Sequence, residues 1–410
     1  MRKIDFTILI PAIFLVVMGT SQIISYTSGR MLLAHFAALG GGFAGMFIFS
    51  LTKYKVFIRF RAITLYVLGI LLLLAVLSFG RTVRGSCSWL NIGIVVFQPS
   101  ELVKFTTIIF LTYYFSRNYI DRGSPRTVFF TVLFGALPFA LVLKQPDVGT
   151  AMVFLFIIFV FLYFSQNINF LMFLVISGGI VLIEIIYFCL YPAGTWSLYL
   201  AGAAFFAVLY LLMRFLLRIK KAHVLVLSLG SLFVLSLLFS WKVTSMLKPY
   251  QKNRILNFIK PSRDTLNSGY HLSQSLITIG SGKLTGKGYR MGSQARLGFL
   301  PGKYTDFIFA SIAEEFGFLG VLLILISYFV LYLRIIKISM LAIDQQGTFL
   351  TLAIFAILFF QTVLNIGMTL GIMPITGLPL PFVSYGGTAL VVYLSMLGIV
   401  MNVGATAEGW

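Results

Sequence analysis

The chain has 410 residues, of which 59% are hydrophobic and only 10% charged, and its mean hydropathy is +1.00. A soluble globular domain carries about 25% charge, and a disordered chain lacks the apolar content to collapse, so both classes are excluded. What remains is an all-α polytopic membrane protein, in which 31 Lys and Arg against 11 Asp and Glu leave a net charge of +20.

A hydrocarbon core of about 30 Å takes roughly 20 apolar residues per helix. Twelve stretches qualify: 6–25, 31–51, 62–79, 99–116, 127–144, 148–165, 168–191, 196–216, 222–245, 307–333, 348–371 and 383–405. The first follows a short basic start, Arg2 and Lys3, and is too long for a cleavable signal core. Pro146, in Lys144-Gln-Pro-Asp147, marks a tight turn between the fifth and sixth spans. Residues 80–98 and 246–306 read as loops, the second long enough to carry function.

The short loops set the orientation. Arg2 and Lys3, then Lys53, Lys55, Arg59 and Arg61, then Arg117, Arg122 and Arg126 fall on one face, as do Arg214, Arg218, Lys220, Lys221, Arg334 and Lys337. The positive-inside rule makes that face cytoplasmic and, with an even number of spans, places both termini there. The 80–98 and 246–306 loops then face outward. Residues 246–306 nevertheless carry Lys248, Lys252, Arg254, Lys260, Arg263, Lys283, Lys287, Arg290, Arg296 and Lys303 against Asp264 and Asp306. Long loops translocate regardless of charge. This one reads either as a solvated loop attracted to anionic head groups or as an electropositive cradle for a polyanionic substrate. Nucleic acid is excluded as a partner, because the site is outside and no binding motif is present.

Two cysteines far apart, Cys87 and Cys189, form no disulfide framework, and His35, His223 and His271 have no metal-ligand spacing. Asp5, Asp121, Asp344 and Glu408 read as solvated groups near the cytoplasmic face. Ionisable residues within the membrane are costly and default to functional candidates. Glu101 and Lys104, three apart at the start of the fourth span, share a helix face. They are either a structural ion pair or part of a substrate cavity. Asp147 is a helix cap or a substrate or ion contact. Glu184, in mid-span, has no sequence-near partner. Asp306 ends the basic loop in Tyr304-Thr305-Asp306-Phe307-Ile308-Phe309, where apolar neighbours limit hydration and suit a general base. The bland alternative is an N-cap for the tenth span supplied by Thr305 or Asp306. Glu314 and Glu315 follow two turns along.

Gly280-Ser-Gly-Lys-Leu-Thr-Gly-Lys-Gly288 superficially suggests a phosphate loop, but Leu284 and Gly288 follow the lysines where Ser or Thr is needed. Glycine backbone beside Lys283 and Lys287 suits an externally presented phosphate or pyrophosphate better than ATP. Trp89 is an interface anchor or a platform for a sugar.

Seven motifs occur in order: Pro99-Ser-Glu-Leu-Val-Lys104, Lys144-Gln-Pro-Asp-Val-Gly-Thr150, Lys248-Pro-Tyr-Gln-Lys-Asn-Arg-Ile255, Gly269-Tyr-His-Leu-Ser-Gln-Ser275, Phe299-Leu-Pro-Gly-Lys-Tyr-Thr-Asp-Phe-Ile-Phe309, Ala313-Glu-Glu-Phe-Gly317 and Leu380-Pro-Phe-Val-Ser-Tyr-Gly-Gly387. Together, from about residue 5 to 405, they resemble the SEDS family (shape, elongation, division and sporulation), and the third and sixth resemble its RodA-like elongation branch more than its FtsW-like division branch.

The resemblance implies a peptidoglycan glycosyltransferase that polymerises lipid II on the outer face of a bacterial inner membrane, for elongation and rod shape. It implies a class B penicillin-binding protein transpeptidase and other elongation-complex membrane proteins as partners. It puts the catalytic aspartate at Asp306 and functional or substrate-binding residues at Glu101, Lys104 and Asp147. Trp89, Gln274, Lys283, Lys287 and Lys303 complete the candidate substrate-binding set. No protein metal site is expected, although a divalent cation, Mg or Mn, bridging pyrophosphate and a carboxylate is compatible with the chemistry. Two departures stand out. The family has ten spans against twelve here, which implies an inserted helix pair within 168–245 of an otherwise single membrane domain, 1–410. The family's histidine before Thr-Asp is replaced in Gly302-Lys303-Tyr304, leaving Lys303 to contact phosphate. The competing readings are a lipid II transporter, with Glu101, Lys104 and Glu184 along its path, an FtsW-like division paralogue, and a non-catalytic scaffold.

Overall fold

The computed structural model describes residues 5–83, 86–92, 95–118, 121–165 and 268–407, with isolated positions between 184 and 256. It divides into two compact units, Met1–Asn167 with His271–Trp410, and Ile168–Tyr270. The predicted spans 168–191, 196–216 and 222–245, with the inserted pair and most of 246–267, lie outside the described residues. Within the second unit, the Ser240 hydroxyl donates to the Glu184 carboxylate at 2.7 Å, which gives that intramembrane acid a partner.

The other nine predicted spans are helices. They are α1 (Phe6–Tyr26), α2 (Arg30–Leu51), α3 (Tyr54–Phe79), α4 (Pro99–Arg117), α5 (Pro125–Lys144) and α6 (Val148–Phe164). After the short α7 (Ser268–Ser281) and α8 (Ser293–Arg296) come α9 (Ile308–Leu341), α10 (Gln345–Thr369) and α11 (Gly387–Ala407). Seven of them are long and apolar enough to cross a membrane. α4 is not among the seven because its interior carries Glu101, Lys104, Thr106, Thr107 and Thr112, all buried. It is the polar helix at the centre of the bundle.

Side-chain caps set several starts. Asp5, Ser124, Asp147 and Asp344 each accept a backbone N–H of the helix they precede. α11 is the core, with 89% of its span buried, whereas α2 is 22% buried and turns Leu33, Phe36, Phe47 and Ile48 outward. The two run parallel along a seam of small residues. A Cβ on Gly42 would lie 2.6 Å from Leu394, one on Gly45 2.4 Å from Ser395, and one on Gly398 2.3 Å from the Met46 carbonyl. Small residues let helix backbones approach where lipid supplies no hydrophobic drive.

The basic end of the bundle is tied by ion pairs. Asp5 meets Arg334 at 2.7 Å, and Asp344 meets Lys55 at 2.7 Å and the Tyr54 hydroxyl at 2.7 Å. Asp5 and Asp344 were expected to be merely solvated. They join α1 to α9 and α3 to α10 instead. This places the starts of α1, α3 and α10 beside the ends of α2, α9 and α11, as alternating crossings require.

Two predicted loops carry structure. Residues 80–98 form a three-stranded antiparallel sheet of β1 (Arg81–Val83), β2 (Ser86–Ile92) and β3 (Val95–Phe97), so the chain is not purely helical. The alternation in Ser86-Cys-Ser-Trp-Leu-Asn-Ile92 was masked by the apolar spans around it. The 246–306 segment contains α7 and α8.

The Asp306 site and its relatives

α9 is two helices. Gly317 has φ 65° and ψ −165°, which breaks it into 308–316, with Ile308 through Glu315 buried, and a longer second part running to Leu341. The glycine loop fills this break. Lys287 and Gly288 donate their N–H groups to the carbonyls of Glu314 and Glu315, and Phe318 and Leu319 donate theirs to Lys283 and Leu284. A Cβ on Gly282 would lie 1.9 Å from the Ala313 carbonyl, and one on Gly286 2.2 Å from that of Glu315. The glycines therefore serve backbone-to-backbone packing, and the N–H groups of Lys287 and Gly288 are used by α9. This corrects the phosphate-cradle reading of 280–288.

Residues 371–386, between α10 and α11, fold back into the bundle without helix. The Tyr328 hydroxyl donates to the Pro381 carbonyl. Tyr328 lies eleven residues beyond Gly317, about 16 Å down the helix at 1.5 Å per residue. A Cβ on Gly19, seven residues below the top of α1, would meet the Val383 backbone at 2.1 Å. Irregular backbone at membrane depth is tolerated only inside protein or along a wet cavity. Phe382 is held at φ 66° there, and non-glycine residues in such conformations cluster at functional sites.

Asp306 sits in a turn gripped by this re-entrant loop. Thr305 and Phe307 donate their N–H groups to the Gly302 carbonyl. The Ser384 hydroxyl donates to the Thr305 carbonyl at 2.7 Å, and the Tyr385 N–H to that of Tyr304 at 2.9 Å. Asn365 Nδ2 bridges the carbonyls of Asp306 (2.9 Å) and Leu378 (2.7 Å). The half-buried Asp306 carboxylate faces Gly377 (φ 75°), its Oδ2 3.8 Å from where a Cβ would be. The N-cap of α9 is Phe307, with no side-chain cap bond, so neither Thr305 nor Asp306 caps the helix.

Asp147, Glu101 and Lys104 adjoin the same loop. Gly149 packs on the Thr376 carbonyl, where a Cβ would be 2.4 Å away. Asp147 caps α6 through Thr150 and accepts from Gln98 Nε2 at 3.1 Å, and the Gln98 N–H donates to Thr388. Burial raises the Asp147 carboxyl above the ordinary range, against the lowering effect of Thr150. Lys104 Nζ lies 2.8 Å from Glu101 Oε1, both buried, and Tyr393 donates to Glu101 Oε2 at 3.1 Å. Tyr393 in turn packs on Phe382.

The side chains of Lys287 and Lys303 make their contacts elsewhere. Lys287 is paired with the buried Glu314 at 2.7 Å, so its ammonium is an anchor rather than a free phosphate ligand. Lys303 donates to the Ala295 carbonyl at 2.6 Å and lies over the Tyr26 ring at 4.6 Å, and burial lowers its basicity. Lys283 is exposed at φ 51°, Gln274 is half-buried on α7, and Trp89 is half-buried on β2 opposite Arg81. Among the described residues no three His, Cys, Asp or Glu side chains converge as a metal-ligand set. Asn365, Gln98, Tyr393 and Ser384 were not singled out. Asn365 was findable, with Gln361 one turn before it, as a polar amide within an apolar helix.

The family described as cell cycle protein, covering FtsW, RodA and SpoVE, matches residues 3–199 and 197–408. The chain is 35% identical over 340 residues to the peptidoglycan glycosyltransferase MrdB of Escherichia coli, covering 83% of this chain and 76% of that one. It is 33% identical over 354 residues to the peptidoglycan glycosyltransferase RodA of Treponema pallidum (82% and 81%). A solved structure describing coordination of polymerization and crosslinking by a peptidoglycan synthase complex aligns with a TM-score of 0.69 and 27% identity, covering 98% of both chains. The rod shape determining protein RodA of Thermus thermophilus aligns at 0.61 and 24%, over 98% of this chain and 97% of that one. The chain belongs to the FtsW, RodA and SpoVE family, and within it the RodA-like assignment holds.

Proposed function

We propose that this chain is a peptidoglycan glycosyltransferase that polymerises lipid II at the outer face of a bacterial inner membrane, with both termini cytoplasmic. Its relatives' names support the activity. The observation that carries the site assignment is a carboxylate, Asp306, presented by two helix-breaking segments inside an otherwise helical bundle. Asp306 takes the proton from the 4-hydroxyl of the acceptor N-acetylglucosamine as that oxygen attacks the donor's anomeric carbon. The lipid pyrophosphate leaves from the opposite side, so one displacement inverts the centre. Rigid positioning of the base supplies orientation. The exposed bases of the outer segment, Lys283 and Arg296, stabilise charge on the leaving pyrophosphate. No step is assigned to a metal. A Mg or Mn ion would come as the pyrophosphate's counter-ion, because the described residues offer it no ligand set.

A class B penicillin-binding protein is the proposed partner, consistent with the similarity to a synthase complex that joins polymerisation to crosslinking. The test is purified protein with labelled lipid II, with and without that partner. Glycan polymer that is lost in folded Asp306→Asn supports the reading. Normal polymer from that variant removes Asp306 as base, and translocation without polymer replaces the enzyme by a transporter.

A further inference from the structure

Two buried carboxylates, Glu314 and Glu315, take no part in the chemistry above, yet both are fully committed. Glu314 Oε1 accepts from Lys287 Nζ (2.7 Å) and the Gln294 N–H (2.9 Å), and Oε2 from the Ala295 N–H (3.0 Å). Glu315 accepts from the Tyr26 hydroxyl (2.5 Å) and from Gln22 Nε2 (2.7 Å), both on α1. One side chain closes the circuit. Lys303 Nζ donates to the carbonyl of Ala295, which Glu314 holds, and lies over the ring of Tyr26, which Glu315 holds. The Lys303 carbonyl accepts from Ser311, on the same helix as the two acids.

We infer that Glu314, Glu315 and Lys303 are positioning residues: a closed ring from α9 through residues 293–296, Lys303 and Tyr26 back to α9 fixes the Gly302–Phe307 turn and so aims the Asp306 carboxylate. Three observations support this over independent structural bonds. The acids stand directly before the Gly317 break, where the helix does not itself hold the chain. Lys303 lies inside the hydrogen-bonded turn that ends at Phe307, three residues from Asp306. Each carboxylate serves a different wall, the outer segment for Glu314 and α1 for Glu315, and Lys303 touches both. A Lys303 used in this way orients the base and does not bind the pyrophosphate in the ground state.

The inference rests on the glycosyltransferase reading, so its test has a readout that does not need activity. Full-length wild type, Glu314→Gln, Tyr26→Phe, Lys303→Met and the Glu314→Gln/Lys303→Met pair are purified in detergent and checked for monodispersity. Hydrogen exchange is measured on the amides of 302–307, and kcat and KM on labelled lipid II. Tyr26→Phe removes only the hydroxyl to Glu315 and keeps the ring beneath Lys303, so it retains a folded variant if the others fail. The expected result is at least tenfold faster exchange of the turn, at least tenfold lower kcat and KM within about twofold, with the pair no worse than its worse member. Wild-type exchange in folded variants overturns the ring. So do additive losses, or a raised KM at unchanged kcat, which would make Lys303 a substrate contact. Wild type that makes no polymer while the turn still loosens in the variants refutes the enzyme reading and leaves the ring standing.

Discussion

Glu101 and Lys104 present the sharpest separation of architecture from function. Their side chains are 1% and 0% exposed, with 2.8 Å between Oε1 and Nζ. Removing one member of a buried pair strands the other charge, at roughly 3–5 kcal/mol. The surroundings decide which loss is worse. Without Lys104, Glu101 keeps the Tyr393 hydroxyl at 3.1 Å, a hydrogen bond to charge of about 1.5–3 kcal/mol. Without Glu101, the ammonium keeps, among the described residues, the Tyr393 ring at 5.8 Å, a contact of about 0.5–2 kcal/mol, and a longer-range attraction to Asp147. Glu101→Gln should therefore destabilise more than Lys104→Met. The double variant leaves no buried charge and should recover most of the loss, giving a coupling of about 2–3 kcal/mol, the upper end for contacting residues. Thermal unfolding of the four proteins in one detergent measures this, and losses that add within about 0.5 kcal/mol refute the argument. Lipid II polymerisation by the double variant then separates the roles. Wild-type activity makes the pair architectural, and a stable but inactive protein places it in the substrate path.

Asn365→Leu should lower kcat sharply, because it strands the carbonyls of Asp306 and Leu378, each at about 1–3 kcal/mol. An active, equally stable variant would show that the amide does not hold the turn. Gly286→Ala should destabilise by at least about 2 kcal/mol, from positive-φ strain and a collision with the Glu315 carbonyl, whereas Gly280→Ala, in open space on α7, should be neutral or stabilising by about 0.5–1 kcal/mol. Thermal unfolding compares the two, and equal shifts would refute the packing argument. Gly377→Ala should cut polymerisation of lipid II, because a strained methyl group would stand against the Asp306 carboxylate. Burial raises the Asp344 carboxyl, but Lys55, the Gly347 N–H and the Tyr54 hydroxyl outweigh it and hold the group below its ordinary range. A depressed carboxyl stabilises above its unfolded pKa, and that stabilisation is lost as pH falls through the folded value. Melting temperature should therefore fall on acidification below about pH 4, near the unfolded carboxyl range, and fall less steeply in Lys55→Met.

The helical frame was legible because membrane spans announce themselves by length and apolarity. Nine predicted spans match helices within a few residues at most ends. α9 runs eight residues past its predicted end at 333, because apolar Ile335, Ile336 and Ile338 keep it packed beyond Arg334. What composition could not reveal is backbone that leaves the helix inside the membrane. The Gly317 break reads as one glycine in an apolar run, and the re-entrant segment reads as a short connection, 372–382, with its last residues counted into the final span. Both are set by tertiary contacts, Gly317 against Gly286 and Pro381 against Tyr328. The basic loop misled for a related reason. Charge counts locate a face, but they do not say that Lys287 and Lys303 already have partners within the fold.

The acids divide by what surrounds them. Asp5, Asp344 and Glu314 each meet a cation and backbone or hydroxyl donors, and their charge is spent on joining elements. The turn that carries Asp306 is held through its main chain as well, by Asn365 on the Asp306 carbonyl and Ser384 on that of Thr305. A turn held this way keeps its place when the carboxylate gains a proton, because neutral amide and hydroxyl donors to the main chain do not depend on that charge. The same arrangement explains why the site needs broken helices. A regular helix would satisfy those carbonyls itself and leave nothing for Asn365 and Ser384 to hold.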